Sequence, residues 1–485
     1  MLLLTGTICA AALVAPAGEG RADTLQEALA LAYQSNPTIE TARADLRAAD
    51  ANVAINRADA LPDVRANVTY TEFVKQSTNS FTAPDRGLFA GLDLAVPVYQ
   101  GGAVRNSIRA AQERVLAGRA DLRGTESGVF SQVVAAYMDV IRDAAVVRLS
   151  RQNVEALGVN LQATSDRFEI GDLTRTDVAQ SGSRLALAQS DLLTAQSNLI
   201  SSRERYIQLV GKEPTDLEPP PPLPNLPDSP EQAVDVALRS NPDLIAAQER
   251  SEAARYDIKV AGSGRYPRVE LYTSGGYNDY FGTLGGGQAD FVSQAETTAQ
   301  AGARLSIPIF QGGRPAALQR QAQARASATL ELAVAVERDV IAQVRASYAA
   351  WIAALQVIDA TTTGVDAASL SLEGVRAENT VGNRTILDIL DAERELLTAQ
   401  VQLVTARRNA YVAGFSLLAA MGRAEAEDLA LEVGPLYDPV ANYEANTRFL
   451  WDWSMDPDPV AQSSRTVDTR AQDARIADEP VFDAQ

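Results

Sequence analysis

The sequence contains no histidine, and its single cysteine is Cys9. Without histidine the usual general base and the commonest metal ligand are both missing. Cys9 lies in an N-terminal stretch that reads as a secretory leader, so the mature chain offers no thiol nucleophile, zinc knuckle or disulfide scaffold. Basic charge is scarce too: 43 Lys and Arg stand against 62 Asp and Glu, for a net charge of −19. A phosphate-binding surface needs a basic footprint, which excludes nucleic acid as a partner. Beyond the leader, no apolar run reads as long enough for a membrane helix, which takes about 20 residues. Any membrane crossing must therefore use strands. Carboxylates alone are plentiful, but they form no cluster resembling an active site. No cofactor or metal is expected, and the chain reads as something other than an enzyme.

Residues 1–14 are apolar or small and are followed by Ala15-Pro16-Ala17 and Gly20-Arg21-Ala22. This predicts a signal peptide over residues 1–22, cleaved before Asp23 or after Ala17. Cys9 follows Gly6-Thr7-Ile8, which does not resemble a lipoprotein box, so no lipid anchor is expected.

Length alone suggests about three domains, but the chain is organised by a duplication. Ser35-Asn36-Pro37 recurs as Ser240-Asn241-Pro242, and Val96-Pro-Val-Tyr-Gln-Gly-Gly102 recurs as Ile307-Pro-Ile-Phe-Gln-Gly-Gly313. Gly171, Thr174 and Asp177 match Gly382, Thr385 and Asp388, and Tyr137 matches Tyr348. Matches at so many positions predict two structural repeats, residues 23–213 and 231–440. Between them lies a linker at 214–230, within a 213–230 stretch holding eight prolines. The remainder, 441–485, reads as a disordered tail.

Each repeat carries the same order of patterns. An amphipathic helix stops before Asn-Pro, and a second helix leads to a change of period from helical to two. In the first repeat, Val64, Ala66, Val68 and Tyr70 alternate with polar residues, then Leu88, Ala90, Leu92, Leu94 and Val96 share one face. Strands are expected at about 63–74 and 87–98, and in the second repeat at about 268–278 and 297–309. At roughly ten residues each, tilted strands of this length cross a bilayer. Next comes a helix of about 65 residues, about 100 Å long. Phe130, Val133, Tyr137, Val140, Ala144 and Val147 step along it by 3 and 4, and Ile341, Val344, Tyr348, Trp351, Leu355 and Ile358 repeat the seam. A helix of roughly 38 residues closes each repeat.

The fold class expected is an α+β membrane protein, mostly α, of duplicated helix–hairpin–long helix–helix repeats. Four strands cannot close a barrel, and an open edge in lipid leaves backbone groups unpaired at several kcal/mol each. Two copies give eight strands and a filled interior, and three give twelve and room for a duct. A homotrimer with a 12-stranded β-barrel, continuous with a long α-helical barrel, is the expectation.

The stretch Val381-Gly-Asn-Arg-Thr-Ile-Leu-Asp-Ile-Leu-Asp391 opens the last long helix. Thr385 and Asp388 have capping-box spacing, and Asp388 and Asp391 share one face at i, i+3. Capping and the helix dipole account for Asp388 and Asp177 taken alone, but not for Asp391 or Arg384. Together with the duplicated plan and the Pro-Val-Tyr-Gln-Gly-Gly strand ends, this stretch resembles the TolC family of outer-membrane channel-tunnels over about residues 23–437. The resemblance implies an outer-membrane exit duct whose helical barrel projects into the periplasm. It also implies a periplasmic adaptor and an inner-membrane ABC or RND transporter as partners, for type I protein secretion or export of small toxic compounds. By the same resemblance Asp388 and Asp391 form a ring at the pore constriction, with pKa values raised by mutual repulsion. Arg384 would latch the entrance against Thr176 and Asp177, and a family latch tyrosine is replaced by Asn379. Two other readings compete. A periplasmic coiled-coil adaptor explains the long helices but not the amphipathic hairpins. A secreted carboxylate enzyme would need a pocket, whereas the acidic residues here sit at helix starts.

Overall fold

The computed structural model describes residues 23–76, 83–431, 434–448 and 451–471. The leader expected at 1–22 and residues 472–485 of the expected tail lie outside them. Helices α1 (Leu25–Ser35) and α2 (Pro37–Ala58) meet at Asn36. The Asn36 side chain accepts from the Thr38 backbone N–H to cap α2, and its Nδ2 donates to the Leu209 carbonyl at 2.9 Å. Asn241 does the same between α5 (Pro230–Ser240) and α6 (Pro242–Gly262), donating to the Ala420 carbonyl at 2.9 Å. Proline at the first helical position lacks only an N–H that would have no intrahelical partner. The Ser-Asn-Pro motif thus does two jobs: it starts a helix and fastens the end of another.

Strands β1 (Asp63–Glu72), β2 (Arg86–Gln100), β3 (Arg268–Asp279) and β4 (Ala295–Ser306) form one antiparallel sheet in the order β1-β2-β3-β4. The two hairpins are therefore joined through β2 and β3. The register sets Ala66 opposite Leu92, Leu92 opposite Gly275, and Leu271 opposite Ala303 on one face. On the other face, Asn67 donates to Asp93 at 3.4 Å, Gln300 to Ser274 at 2.9 Å, and Arg304 pairs with Glu270 at 3.5 Å. One face is aliphatic and the other is cross-linked by polar pairs, as the period-two alternation predicts. Strand ends differ from expectation. β1 stops at Glu72, and β4 stops at Ser306 rather than near 309. The corresponding end of β2 stays in the sheet because β3 hydrogen-bonds to it, whereas β4 is an edge with no strand beyond it.

Helices α3 (Ala103–Glu169) and α7 (Arg314–Thr380) are each 67 residues long. They lead away from the sheet and turn back into α4 (Arg175–Val210) and α8 (Ile386–Ala420). α3 is flanked on all sides by α2, α4, α6 and α8, and it buries the seam residues Phe130, Val133, Tyr137, Val140 and Val147. Tyr137 shares its hydroxyl proton between the carbonyls of Asp23 (2.9 Å) and Glu218 (2.7 Å). α7 packs chiefly on α5, α6 and α8. Among its described residues it buries Ala326, Val340, Val344, Ala368 and Leu372, while Leu330, Leu332, Val334, Leu355 and Leu370 are exposed. α7 also contains a window apolar enough, by composition, to cross a membrane, which the reading of the sequence passed over. Only 6% of that window is buried within the protomer, so most of its apolar side chains face outward.

After α8 the chain folds back on α3. Arg123 donates to both Glu425 oxygens at 2.9 Å, and Glu126 accepts the Ala426 N–H at 2.5 Å. Burial pushes the Glu126 carboxyl up to about 7. Residues 441–448, expected to be disordered, instead form α9 (Ala441–Arg448) against α2. Composition misses this helix because its stability comes from tertiary partners: Asn442 donates to buried Asp50 at 2.8 Å, and Tyr443 accepts from Gln112 at 3.1 Å.

Candidate functional site

The turns between α3 and α4 and between α7 and α8 form the end of the molecule farthest from the sheet, about 100 Å away along the helices. Gly171 (φ 84°) and Gly382 (φ 80°) end the long helices in the left-handed region, where a Cβ is costly. Thr174 and Thr385 then cap α4 and α8, each with a complete capping box closed by Asp177 and Asp388. The Asp388 carboxylate accepts from the Thr385 hydroxyl at 2.7 Å and from its N–H at 2.8 Å. These bonds, from hydroxyl first and backbone second, hold the Asp388 carboxyl below the usual carboxylate range. Asp177 is lowered in the same way by Thr174, the backbone bond leading. Within one protomer the shift is downward because two Thr385 donors converge on the carboxylate; the upward shift expected above belongs to a ring of several copies.

Among the described residues of one protomer, the expected latch residues do not meet. Arg384 donates to Glu378 at 2.8 Å and lies 3.8 Å from Asp388, both in its own hairpin. Among the described residues it forms no ion pair with Asp177, which is engaged by its own cap. Thr176 is the second residue of α4 and belongs to the other tip. Asn379 has a local role, donating to the Arg384 carbonyl at 2.7 Å and so holding the turn closed.

Asp391 is the residue that joins the two hairpins. Arg184 of α4 donates to it at 2.8 Å, with Asp391 mostly exposed. Two positions along, buried Glu393 accepts two bonds of 2.9 Å from Asn160 of α3 and one of 2.8 Å from Arg376 of α7. Reading the sequence missed Arg184, Glu393, Asn160 and Arg376. Their signal is a break in the duplication: Arg184 corresponds to Glu395, Asp391 to Gln180, and Glu393 to Gly182. Where two halves are otherwise alike, a charge not repeated at the matched position marks contacts between them.

Two open pockets lie between helices, one lined by Asp243, Arg250 and Asp339 and the other by Asp45, Arg114 and Asp121. Both are grooves of about 370 and 310 Å³ on the helical wall, lined by paired charges and methyl groups. Neither gathers the convergent polar groups of a reaction site. Among the described residues no group of acidic side chains is arranged to hold a metal.

The family model for outer membrane efflux proteins matches residues 28–212 and 233–423. The chain is 32% identical to the outer membrane efflux protein BepC of Brucella suis over 424 residues, covering 87% of this chain and 90% of that one. It is 27% identical to the outer membrane protein TolC of Vibrio cholerae, over 84% of this chain and 92% of that one. Its fold matches the crystal structure of the outer membrane protein VceC from Vibrio cholerae, with a TM-score of 0.70, 22% identity, and coverage of 82% and 96%. An amphipathic sheet, a wall of paired long helices, the matched model and these relatives agree: the chain belongs to the outer membrane efflux protein family and is an outer-membrane export channel, not an enzyme.

Proposed function

We propose that three copies of this chain close into one duct, a 12-stranded barrel in outer-membrane lipid continued by a helical barrel in the periplasm. The observation that carries this reading is a missing neighbour. β2 pairs with β3 and α3 packs on α6 and α8, which joins the first half of the chain to the second. By the duplication, β4 and α7 present the same surfaces, and among the described residues of one protomer no strand pairs with the outer edge of β4 and no helix of the first repeat packs along α7 as α6 and α8 do along α3. The exposed leucines and valines of α7 and the unpaired edge of β4 are what β1, α2 and α4 of the next copy would cover. Closure removes both open edges, whose cost in lipid is several kcal/mol for each unpaired group. The internal register supplies the external one: Leu94 faces Thr273, so Leu305 faces Val68 of the next copy.

Such a duct collects at the helical tip what an adaptor and an inner-membrane ABC or RND transporter deliver, and releases it outside. Cargo spans secreted proteins and small toxic compounds. Asp388 and Asp391, three copies of each, form the constriction. Arg384, Thr176 and Asp177 meet across protomers, since Arg384 and Asp177 lie at tips that alternate around such a ring.

Disulfide trapping tests the assembly. Cys9 belongs to the leader, so Leu305→Cys with Val68→Cys provides the only thiols of a processed chain. Oxidation in mild detergent should give covalent species ending at trimer. Monomer alone, or ladders running beyond trimer, would sink the closed-duct reading.

A further inference from the structure

The C-terminal strap carries a surface that the duct does not explain. Tyr437 begins it: its N–H donates to the Tyr33 hydroxyl at 2.9 Å, and Arg43 lies 5.1 Å from its ring centre. Five residues later Asn442 reaches Asp50, seven residues further along α2 toward the sheet, or about 10 Å. α9 therefore advances toward the strands. Its remaining six residues span about 9 Å, which brings Arg448 near the level at which α2 gives way to β1. The strap then returns. Ser464 packs against Gly211, itself beside Ser35, and the Arg470 N–H donates to Glu213 at 2.6 Å. Ser35 lies roughly 35 Å back along α2 from Ala58. Eleven residues separate Trp453 from Ser464, and an extended chain of that length reaches about 36 Å. These lengths allow the strap an out-and-back excursion whose apex is the segment Trp451-Asp-Trp-Ser-Met455.

At that apex Trp451, Trp453 and Met455 are 70%, 79% and 88% exposed. The third tryptophan, Trp351, packs with Tyr348 on α7. Exposed Tyr99, Tyr266, Ile309 and Phe310 mark the same end of the sheet, at the termini of β2, β3 and β4. Indole rings favour the headgroup layer, where the ring is sheltered and the N–H stays wet. Asp452, Asp456 and Asp458 flank the pair, so the favoured surface is a zwitterionic one rather than an anionic one.

We propose that Trp451 and Trp453 dock on the periplasmic leaflet of the outer membrane and anchor the strap to the lipid interface. The proposal rests on the sheet crossing that membrane. It gives each protomer a peripheral contact with the membrane, and it places a tether outside the barrel wall.

The test is fluorescence quenching in phosphatidylcholine vesicles whose lipids carry bromine near the headgroup. The tail signal is the difference between the native channel and the variant Trp451→Phe/Trp453→Phe, exposed positions whose change leaves the core intact. That difference should lose most of its emission to brominated lipid and be shielded from aqueous acrylamide. Emission unchanged by bromine overturns the proposal. With acrylamide access the tryptophans face water or the lumen, and without it they face a second copy of the chain. Leu92→Trp in the Phe/Phe background separates the two readings. Quenching of Trp at 92 by bromine deep in the acyl chains, with no quenching of the tail, sinks only the anchor. No quenching at 92 sinks the membrane-spanning sheet itself.

Discussion

Arg184 of α4 donates to Asp391 of α8 across 2.8 Å, so one of the two aspartates expected at the constriction already has a counter-ion inside its own protomer. The pair is partly exposed, and such pairs contribute about 0–1 kcal/mol. It therefore tunes charge at the tip more than it locks the two hairpins. Arg184→Ser should leave assembly intact and strengthen cation selectivity, because three more carboxylates are then uncompensated. Planar-bilayer reversal potentials measure this. A shift toward anions would mean that Asp391 does not face the conducting path.

Removing the carboxylates should do the opposite. Asp388→Asn with Asp391→Asn keeps much of the Thr385 cap and should preserve trimer, but lose cation preference and block by multivalent cations. Arg384→Ser, by contrast, should raise conductance without disturbing the barrel, as the tip turn loses its hold on Glu378 and on the neighbouring copy. Unchanged recordings for both variants would leave this stretch as an ordinary pair of helix starts.

The sheet faces predict an asymmetry. Arg placed at Leu92 or Leu305 should cost roughly 2–4 kcal/mol near the bilayer midplane. Asn67→Arg, on the face with Asp93, should be mild. Denaturant titration of the refolding barrel reads the difference, and equal tolerance would mean the faces are assigned the wrong way round.

Glu126 predicts a pH dependence of opposite sign to the usual carboxylate. Burial raises its folded-state pKa from 4.5 to about 7, so folding takes up a proton. Its contribution is fully present below about pH 4.5 and is lost as pH rises through 7. Glu126→Gln keeps an oxygen for the Ala426 N–H and should stabilise the helical barrel at pH 8, by an order of 1–3 kcal/mol. At pH 4 it should be neutral. Tm measured at both pH values checks it, and a variant less stable at pH 8 would show that the fold favours the Glu126 carboxylate instead of penalising it.

Tyr137→Phe leaves the Asp23 and Glu218 carbonyls without their donor, and should cost about 1–2 kcal/mol. Trypsin cleavage after Lys212, which borders the Pro-rich linker at 214–230, reports the loosening, and unchanged cleavage would mean water replaces the hydroxyl.

Much of the architecture is local and therefore legible in the chain. Period-two alternation at 64–70 and 88–96 fixes amphipathic strands, and Thr174 and Thr385 with their aspartates fix helix starts within one turn. Asn-Pro at 36–37 and 241–242 stops and restarts helices for steric reasons that no partner can change. The resemblance carried by residues 381–391 pointed to the family that the matched model and relatives establish. The sequence could not set the β2–β3 junction, because antiparallel pairing of strands 170 residues apart depends on which edges meet. It could not place α9 either: an eight-residue helix of low hydropathy forms only against Asp50 and Gln112. Nor could it give Asp391 its partner. Arg184 is 207 positions away, and only the packing of α4 beside α8, itself a product of two long helices folding back along each other, brings the charges within 2.8 Å.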